Sequence, residues 1–130
     1  MKKMINDKKM TENNILADKT IDFSIRIIRC YKYLTEEKNE YIISKQLFRS
    51  GTSIGANVHE AIQAQSKPDF INKLSISLKE ASESSYWITL LQKTEFLDQK
   101  LYSSLKNDLD EIIRILISSI KTSKKGIKKT

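Results

Sequence analysis

Apolar residues recur at every third or fourth position in four successive segments of this chain, which is the spacing of amphipathic α-helices. The chain has 130 residues but only three glycines and one proline, too few for the closely spaced turns of an all-β protein. A chain of this length fits one hydrophobic core. The sequence therefore predicts an all-α fold, an antiparallel up-and-down four-helix bundle with short connections.

The four helices are predicted to span about residues 11–38, 41–66, 68–95 and 98–121. Thr11 and Asp98 are candidate N-caps of the first and fourth helices, and Pro68 suits the first turn of the third. The connection after the first helix is charged and has neither glycine nor proline. Its position is therefore the least defined of the three.

The first predicted helix has a wide apolar surface. One stripe is formed by Ile21, Ile25, Ile28 and Leu34, and it is widened by Phe23, Ile27, Cys30 and Tyr31. Because a helix that packs on one side needs only a narrow stripe, this width predicts contacts on more than one side of the helix.

Two glycines interrupt the composition of the second segment. Gly51 and Gly55 each cost a helix interior about 1 kcal/mol relative to alanine, so a packing advantage is expected to offset them. They lie one turn apart on the same face, where the missing side chains allow another helix to approach closely. A phosphate-binding loop is not indicated, because the Gly-Lys-Ser/Thr ending and the preceding strand are both missing.

The formal net charge of +7, from 23 basic and 16 acidic residues, is unevenly distributed. Residues 1–10 carry +3, residues 121–130 carry +5, and the 110 residues between them carry −1. The predicted organisation is a basic N-terminal tail, a nearly neutral bundle over residues 11–120, and a lysine-rich C-terminal tail. Because lysines attract phosphates, the candidate nucleic-acid contacts in the C-terminal tail are Lys121, Lys124, Lys125, Lys128 and Lys129.

Inside the predicted bundle, no acidic residue lies three or four positions away on the same helix from Arg29, Lys45 or Arg49. Two interpretations remain open for them. Either a carboxylate on another helix pairs with each side chain, or an external anion such as a nucleic-acid phosphate does. They are therefore further candidate nucleic-acid contacts, on the surface of the bundle.

The sequence predicts no catalytic, cofactor or metal site. One cysteine, Cys30, and one histidine, His59, exclude an intramolecular disulfide and a Cys/His zinc site. The glutamate Glu60 lacks the Glu-x-x-His partner motif of a bundle di-metal centre, and is expected to bond to a neighbouring helix or subunit. We therefore expect a protein that is not an enzyme.

Carboxylates that could join Glu60 in a metal site are Glu80, Glu83 and Asp110, but no histidine follows any of them at the required spacing. No signal peptide or membrane-spanning segment is predicted either, since no stretch is sufficiently long and apolar. The expected location is the cytoplasm, with no membrane partner.

Two long segments carry a family resemblance. The segment Phe48–Ala61, FRSGTSIGANVHEA, resembles the signature of the small four-helix bundle proteins encoded in intervening sequences of bacterial 23S ribosomal RNA genes. The segment Pro68–Leu91, PDFINKLSISLKEASESSYWITLL, is similar to the Asp-Phe, Lys-Glu-Ala and Tyr-Trp elements of that family. Together with the pattern of the fourth segment, the resemblance covers about residues 12–120.

This resemblance implies a homopentameric ring of bundles, related in fold to the accessory variability protein of diversity-generating retroelements, which binds nucleic acid and partners a reverse transcriptase. The signature residues carried over are Arg49, Ser50, Ser53, Ile54, Gly55, Ala56, Asn57 and Glu60. The resulting candidates for helix packing or a subunit interface are Gly51, Ser53, Gly55, Asn57 and Glu60.

The expected function is a non-enzymatic homopentameric scaffold that binds RNA or DNA electrostatically, without sequence preference. The alternative is a protein-interaction adaptor, such as an accessory subunit of a reverse transcriptase in a diversity-generating retroelement. The first hypothesis depends on the charge distribution, whereas the second depends on the retroelement relative.

Overall fold

The computed structural model describes the backbone of residues 2–128 and the side chains of residues 12–126. It contains four helices and no strand in that range: α1 (Lys2–Glu36), α2 (Ile43–Ile62), α3 (Lys67–Lys93) and α4 (Gln99–Lys128). Consecutive helices run antiparallel, and α4 returns to lie beside α1. The predicted all-α four-helix bundle is confirmed.

The connection between α1 and α2 uses a polar side chain where the sequence offered no glycine. Asn39 has a φ of 54°, a left-handed conformation that asparagine tolerates better than most residues. The buried carboxylate of Glu40 then accepts hydrogen bonds from the backbone amides of Ile42, Ile43 and Ser44, at 3.2, 3.1 and 2.6 Å. Glu40 therefore satisfies the free amides at the start of α2.

Side-chain caps also fix the starts of the last two helices. Ser66 accepts a hydrogen bond from the amide of Asp69 at 3.2 Å, and Pro68 lies in the first turn of α3. Asp98 accepts one from the amide of Leu101 at 2.8 Å, just before α4. The two connections are consequently short, as the sequence predicts.

The first helix buries only part of the wide apolar surface that the sequence indicated. Phe23, Ile27 and Leu34 are 1%, 0% and 0% exposed and face the core, whereas Ile21 and Ile25 are 57% and 41% exposed. Ile28 is 38% exposed on the same outer side. The inner and outer sets are both apolar and adjacent around the helix, so periodicity alone did not separate them.

Both ends of the chain differ from the expected tails. Helix α1 begins at Lys2 rather than near Thr11, and α4 continues to Lys128 rather than ending near Lys121. Lysine has a high helix propensity, so it extends a helix that the core has already nucleated without contributing an apolar stripe. Ser123 is only 5% exposed, which shows that α4 remains packed beyond its last apolar turn. Lys129 lies outside the described residues.

Two ion pairs hold α4 against α1. Lys19 pairs with Glu111 at 2.9 Å, and Arg26 pairs with Asp108 at 2.6 Å while also donating to the Ser104 hydroxyl at 2.9 Å.

None of the four helices, over the residues described, has an apolar window long enough to cross a bilayer.

Candidate nucleic-acid interface

The topology brings both basic segments to one end of the bundle. In an up-and-down bundle, the start of α1, the end of α2, the start of α3 and the end of α4 share one end. We call this the basic end. Residues 2–10 contribute four lysines and one aspartate there, and residues 121–128 contribute four lysines and no acidic residue. Most of the excess positive charge therefore lies on helices that are neighbours.

The α4 lysines of the basic end have no ionic partner within the part of the chain whose side chains are described. Lys121, Lys124 and Lys125 are exposed, and no carboxylate of residues 12–126 lies within 4.0 Å of their ammonium groups. The side chain of Lys128 is not described. No carboxylate of residues 12–126 therefore competes with a phosphate for these three lysines.

A fourth lysine at this end was missed by the sequence analysis. The Lys67 ammonium, at the first residue of α3, lies 2.5 Å from the position that a Cβ atom would occupy at Gly126 of α4. The packing of α3 against α4 creates this proximity over a long sequence separation. No local pattern in the sequence signals it.

The structure gives Arg49 an internal partner. Its guanidinium donates to the Glu80 carboxylate at 3.1 Å and also to the Glu83 carboxylate, both on α3. The indole of Trp87 donates to Glu83 as well, at 3.1 Å, and this bond, together with Arg49, lowers the pKa of that carboxyl. The cross-helix pair is therefore the interpretation that the structure supports for Arg49.

Arg29 and Lys45 are exposed and have no carboxylate partner among residues 12–126. Lys45 lies in the first turn of α2, at the end of the bundle opposite the basic end. Arg29 lines a groove between α1 and α4 with Tyr33 and Leu101, also in that opposite half. The structure does not bring these two residues together with the lysines of α4.

Gly51 and Gly55 lie where α2 crosses close to α1. A Cβ atom at Gly51 would lie 2.8 Å from Cγ1 of the buried Ile27, and one at Gly55 would lie 3.2 Å from Cβ of Thr20. Since ordinary carbon contacts are longer, each glycine permits a helix approach that alanine would disturb.

The remaining interface candidates make bonds within the protomer. The Ser53 hydroxyl donates to the Arg49 carbonyl at 2.6 Å, and the Asn57 amide donates to the Ser53 carbonyl at 2.9 Å, one turn apart on α2. Glu60 pairs with Lys73 of α3 at 3.8 Å. Ser53 and Asn57 therefore make these bonds within α2, whereas Glu60 bonds across to α3.

An exposed apolar face covers α1 and α2. Its members are Ile21, Ser24, Ile25 and Ile28 on α1 and Phe48, Gly55, Ala56 and His59 on α2, and we call it the α1–α2 face. Part of it is an open groove of about 300 Å³ lined by Ile21, Ile25 and Ala56. None of the members carries a permanent charge. A contiguous apolar surface of this kind is typical of a protein–protein contact site.

The single cysteine and the single histidine, which could act together as a nucleophile and a base, lie apart. Cys30 is 5% exposed and lines the groove between α1 and α4, whereas His59 lines the groove between α1 and α2. Burial raises the pKa of the Cys30 thiol to about 11, and the nearby Arg26 offsets this only in part. The thiolate form that a nucleophile requires is therefore disfavoured.

Each candidate carboxylate lies within ion-pair distance of a basic side chain, and Glu80 and Glu83 share the guanidinium of Arg49. Glu60 pairs with Lys73, Glu80 and Glu83 pair with Arg49, and Asp110 pairs with Lys106 at 3.3 Å. Across the described residues, no group of three or more histidine, cysteine or acidic side chains has the arrangement of a metal site.

Comparison with known proteins identifies a sequence family and a similar solved structure. The sequence model of the family described as 23S rRNA-intervening sequence protein matches residues 12–118. The fold is similar to a crystal structure of a protein of unknown function from the S23 ribosomal protein family of Bacteroides thetaiotaomicron. That chain is 53% identical, with a TM-score of 0.84, and the alignment covers 85% of this chain and 98% of that chain. No curated protein matches.

Proposed function

Because this chain belongs to the 23S rRNA-intervening sequence protein family, we propose that it is a non-enzymatic scaffold that binds nucleic acid electrostatically through its basic end. The observation that carries this proposal is the convergence of two lysine-rich helix ends, from opposite termini of the chain, at one end of the bundle. The name of the similar structure, from a ribosomal protein family, is consistent with a nucleic-acid partner.

The chemistry of the basic end favours phosphate contacts over base recognition. Lysine ammonium groups neutralise phosphates and release counterions, which gives affinity that depends on salt rather than on sequence. The exposed aromatic side chains that could stack on bases lie away from this end: Tyr33, Tyr41, Phe48 and Tyr86. Binding is therefore expected to be independent of sequence, with RNA and DNA both as ligands.

We also propose that the scaffold is a homopentameric ring in which the α1–α2 face contacts a neighbouring subunit. The face is apolar and lacks permanent charges, so two copies with a net charge of +7 each can meet there without local repulsion. A ring is assembled head to tail, and the face accordingly contacts a different surface of the next subunit.

Ring assembly would multiply the effect of the basic end. Cyclic symmetry places equivalent residues of all subunits on one circle, so five basic ends would form a single cationic surface. Five copies at +7 carry +35 in total. Phosphate contacts that are weak one at a time then act together on one nucleic-acid molecule.

The nucleic-acid proposal is tested by measuring the affinity for a short labelled RNA duplex at several salt concentrations. The test variant changes Lys121, Lys124 and Lys125 to glutamine, which keeps a similar helix propensity. The matched control changes Lys38, Lys93 and Lys100, three exposed lysines at the opposite end, to glutamine. We expect the salt slope of the test variant to fall by about 0.9 for each phosphate that it no longer neutralises, and the control to bind like the wild type. Equal affinities would refute the proposal.

The assembly proposal is tested by mass photometry or sedimentation of the full chain. A pentamer is expected at micromolar concentration. A stable monomer would contradict the ring and leave the α1–α2 face available to a different protein. The adaptor function, with a partner such as a reverse transcriptase, would then be the better explanation, and a partner complex that survives nuclease treatment would support it.

A further inference from the structure

We infer that the α1–α2 face of one subunit docks on α3 of the next subunit, with Ile28 against Tyr86. In the same contact, Asp22 lies close to Lys79. The inference rests on the proposed ring, whose head-to-tail geometry requires a second surface, and it names that surface. We call it the α3 patch and define it as Tyr86 and its neighbours one turn away on the helix, Ser82, Thr89 and Leu90.

The α3 patch has an aromatic anchor that is already held in place. Tyr86 is 59% exposed, and its ring packs edge-on against Trp87 with 4.9 Å between the ring centroids. Trp87 is fixed in turn, since its indole donates to Glu83 and its ring packs against the core. An exposed aromatic side chain that is held in this way loses little conformational entropy on binding. Tyr86 therefore has the properties of an interface anchor.

The centre of the α3 patch can be buried without isolating a charge. Ser82, Thr89 and Leu90 are not ionisable, and the carboxylate one turn before Tyr86, that of Glu83, is paired with Arg49. The α1–α2 face likewise has no permanent charge among its members. The two surfaces can therefore meet without leaving an unpaired ion in the contact.

Opposite charges border the two surfaces. Asp18 and Asp22 on α1 are exposed, and no basic group of residues 12–126 lies within 4.0 Å of either carboxylate. Lys79, two turns before Tyr86, is exposed and has no carboxylate of those residues within the same distance. Each subunit therefore has carboxylates beside one surface and an ammonium beside the other, which makes a head-to-tail contact electrostatically complementary.

The apolar partners lie at the same height along the bundle. Ser84 of α3 bonds to Ser50 of α2, and the next residue of α2 packs on Ile27 of α1, so these contacts mark one level. Tyr86 follows Ser84 by two residues, and Ile28 follows Ile27 by one. Because a helix rises ~1.5 Å per residue, Tyr86 and Ile28 lie within about one turn of the same height.

The charged partners share a second level. The Ser77 hydroxyl of α3 donates to the Ile54 carbonyl of α2, and the next residue of α2 packs on Thr20 of α1. Lys79 and Asp22 each lie two residues beyond this level, in the same direction, because α1 and α3 run parallel in an up-and-down bundle.

Equal heights are what a closed ring requires. When the ring axis runs parallel to the bundle, a head-to-tail contact without axial offset closes on itself, whereas an offset contact generates a helical filament. Helix α3 packs on α2 and α4 and lies diagonally opposite α1. One subunit can therefore present the α1–α2 face to one neighbour and the α3 patch to the other.

The first test compares Tyr86→Asp with Tyr41→Asp in the full chain. Both tyrosines are 59% exposed, but Tyr41 lies in the connection between α1 and α2, outside both surfaces. Circular dichroism should show the wild-type helix content for both variants. Mass photometry should show pentamers for the wild type and Tyr41→Asp, and a shift from pentamer to monomer for Tyr86→Asp.

The outcomes separate this inference from the proposed ring. A pentameric Tyr86→Asp would overturn the contact and leave the ring intact, and equal dissociation of both variants would also count against it. A monomeric wild type would refute the ring itself.

Cross-linking tests the pairing without requiring a loss of assembly. The double variant Ile28→Cys/Tyr86→Cys has one new thiol on each surface, and Ile28→Cys/Tyr41→Cys is the matched control. A short bismaleimide should convert the first into a ladder of covalent products up to the pentamer on a denaturing gel, and leave the control largely monomeric. Cys30, which is 5% exposed, is common to both. Equal products from both variants would overturn the pairing of Ile28 with Tyr86.

Discussion

The hydroxyl oxygens of Ser50 on α2 and Ser84 on α3 lie 2.9 Å apart, and both side chains are fully buried. This polar contact spans the tightly packed seam between the two helices. Small residues on both sides allow the helices to approach, and each hydroxyl has a partner in the core. The seam therefore combines close packing with polar groups that are satisfied.

Replacing Ser84 tests both properties of the seam. We expect Ser84→Ala to lower the free energy of unfolding by about 1 kcal/mol, because it removes the hydrogen bond. Ser84→Leu should cost more, about 1–3 kcal/mol, because the larger side chain overpacks the seam. Urea denaturation followed by circular dichroism measures both, and the exposed Ser82→Ala on the same helix is the control. A Leu variant as stable as the Ala variant would contradict the packing argument.

Replacing Gly51 with alanine should change the stability of the fold in the opposite direction from replacing Gly126 with alanine. Helix propensity favours alanine over glycine by about 1 kcal/mol at either position. At Gly51 the new Cβ atom meets the buried side chain of Ile27, so we expect Gly51→Ala to destabilise the fold. At Gly126 it meets only the flexible end of Lys67, so Gly126→Ala should stabilise it. Thermal unfolding of the two variants distinguishes them, and equal shifts in Tm would argue against close packing at Gly51.

The carboxylate of Glu40 should make the stability of α2 sensitive to acid. Burial would raise the pKa of Glu40, but the hydrogen bonds from the amides of Ser44, Ile43 and Ile42 outweigh it and lower the pKa below the ordinary 4.5. A carboxyl with a lowered folded-state pKa contributes stability above its unfolded pKa, and this contribution is lost as the pH falls through the folded value.

We therefore expect Glu40→Gln to cost about 1 kcal/mol at pH 7, a typical value for removal of a helix cap. The difference from wild type should shrink as the pH falls from 5 towards 3, because the wild-type carboxyl also becomes neutral. Denaturant unfolding at a series of pH values measures this, with Glu37→Gln, an exposed neighbour, as control. A difference independent of pH would show that the charge of Glu40 is unimportant.

The α1–α2 face predicts a variant that changes assembly without changing the fold. Ile25 is 41% exposed, so Ile25→Asp should leave the helix content of the protein near the wild-type value. If this face is the subunit contact, a charge there should shift the mass distribution from pentamer to monomer. Ile42→Asp is the comparison, since Ile42 is 77% exposed and lies outside the face. Dissociation by both variants alike would argue against a specific contact at Ile25.

Arg49 gives a negative prediction for nucleic-acid binding. Its guanidinium already pairs with Glu80 and Glu83, so Arg49→Gln should leave RNA affinity unchanged. Stability should fall by less than about 1 kcal/mol, because the side chain is half exposed and the pair is screened by solvent. Anisotropy titration and urea unfolding measure the two effects. Weaker RNA binding with unchanged stability would restore Arg49 as a phosphate contact.

The sequence was sufficient for the fold because helix periodicity and capping are local properties. Pro68 and Asp98 marked the last two connections, and Gly51 and Gly55 marked a close helix approach. The orientation of α1 was not predictable in this way. Ile25 and Ile27 are equally apolar, and only the positions of α2 and α4 decide which of them is buried.

The candidate site depended even more on tertiary structure. The lysines of α4 were identified by counting charge, but the position of Lys67 against Gly126 of α4 requires the packing of α3 against α4. Likewise, Arg49 lacked a partner within its own helix, and only the neighbouring helix supplied Glu80 and Glu83. Local sequence identifies charged residues, whereas the fold determines which of them remain unpaired.

The single cysteine provides a kinetic reporter of bundle opening. Cys30 is buried against α4, and its thiol pKa of about 11 makes it slow to react while α1 and α4 stay together. A thiol-reactive dye would therefore label the wild-type chain only during excursions that separate these two helices. Labelling rates at different salt concentrations would then measure how strongly the Arg26–Asp108 and Lys19–Glu111 pairs limit such excursions, without any engineered probe.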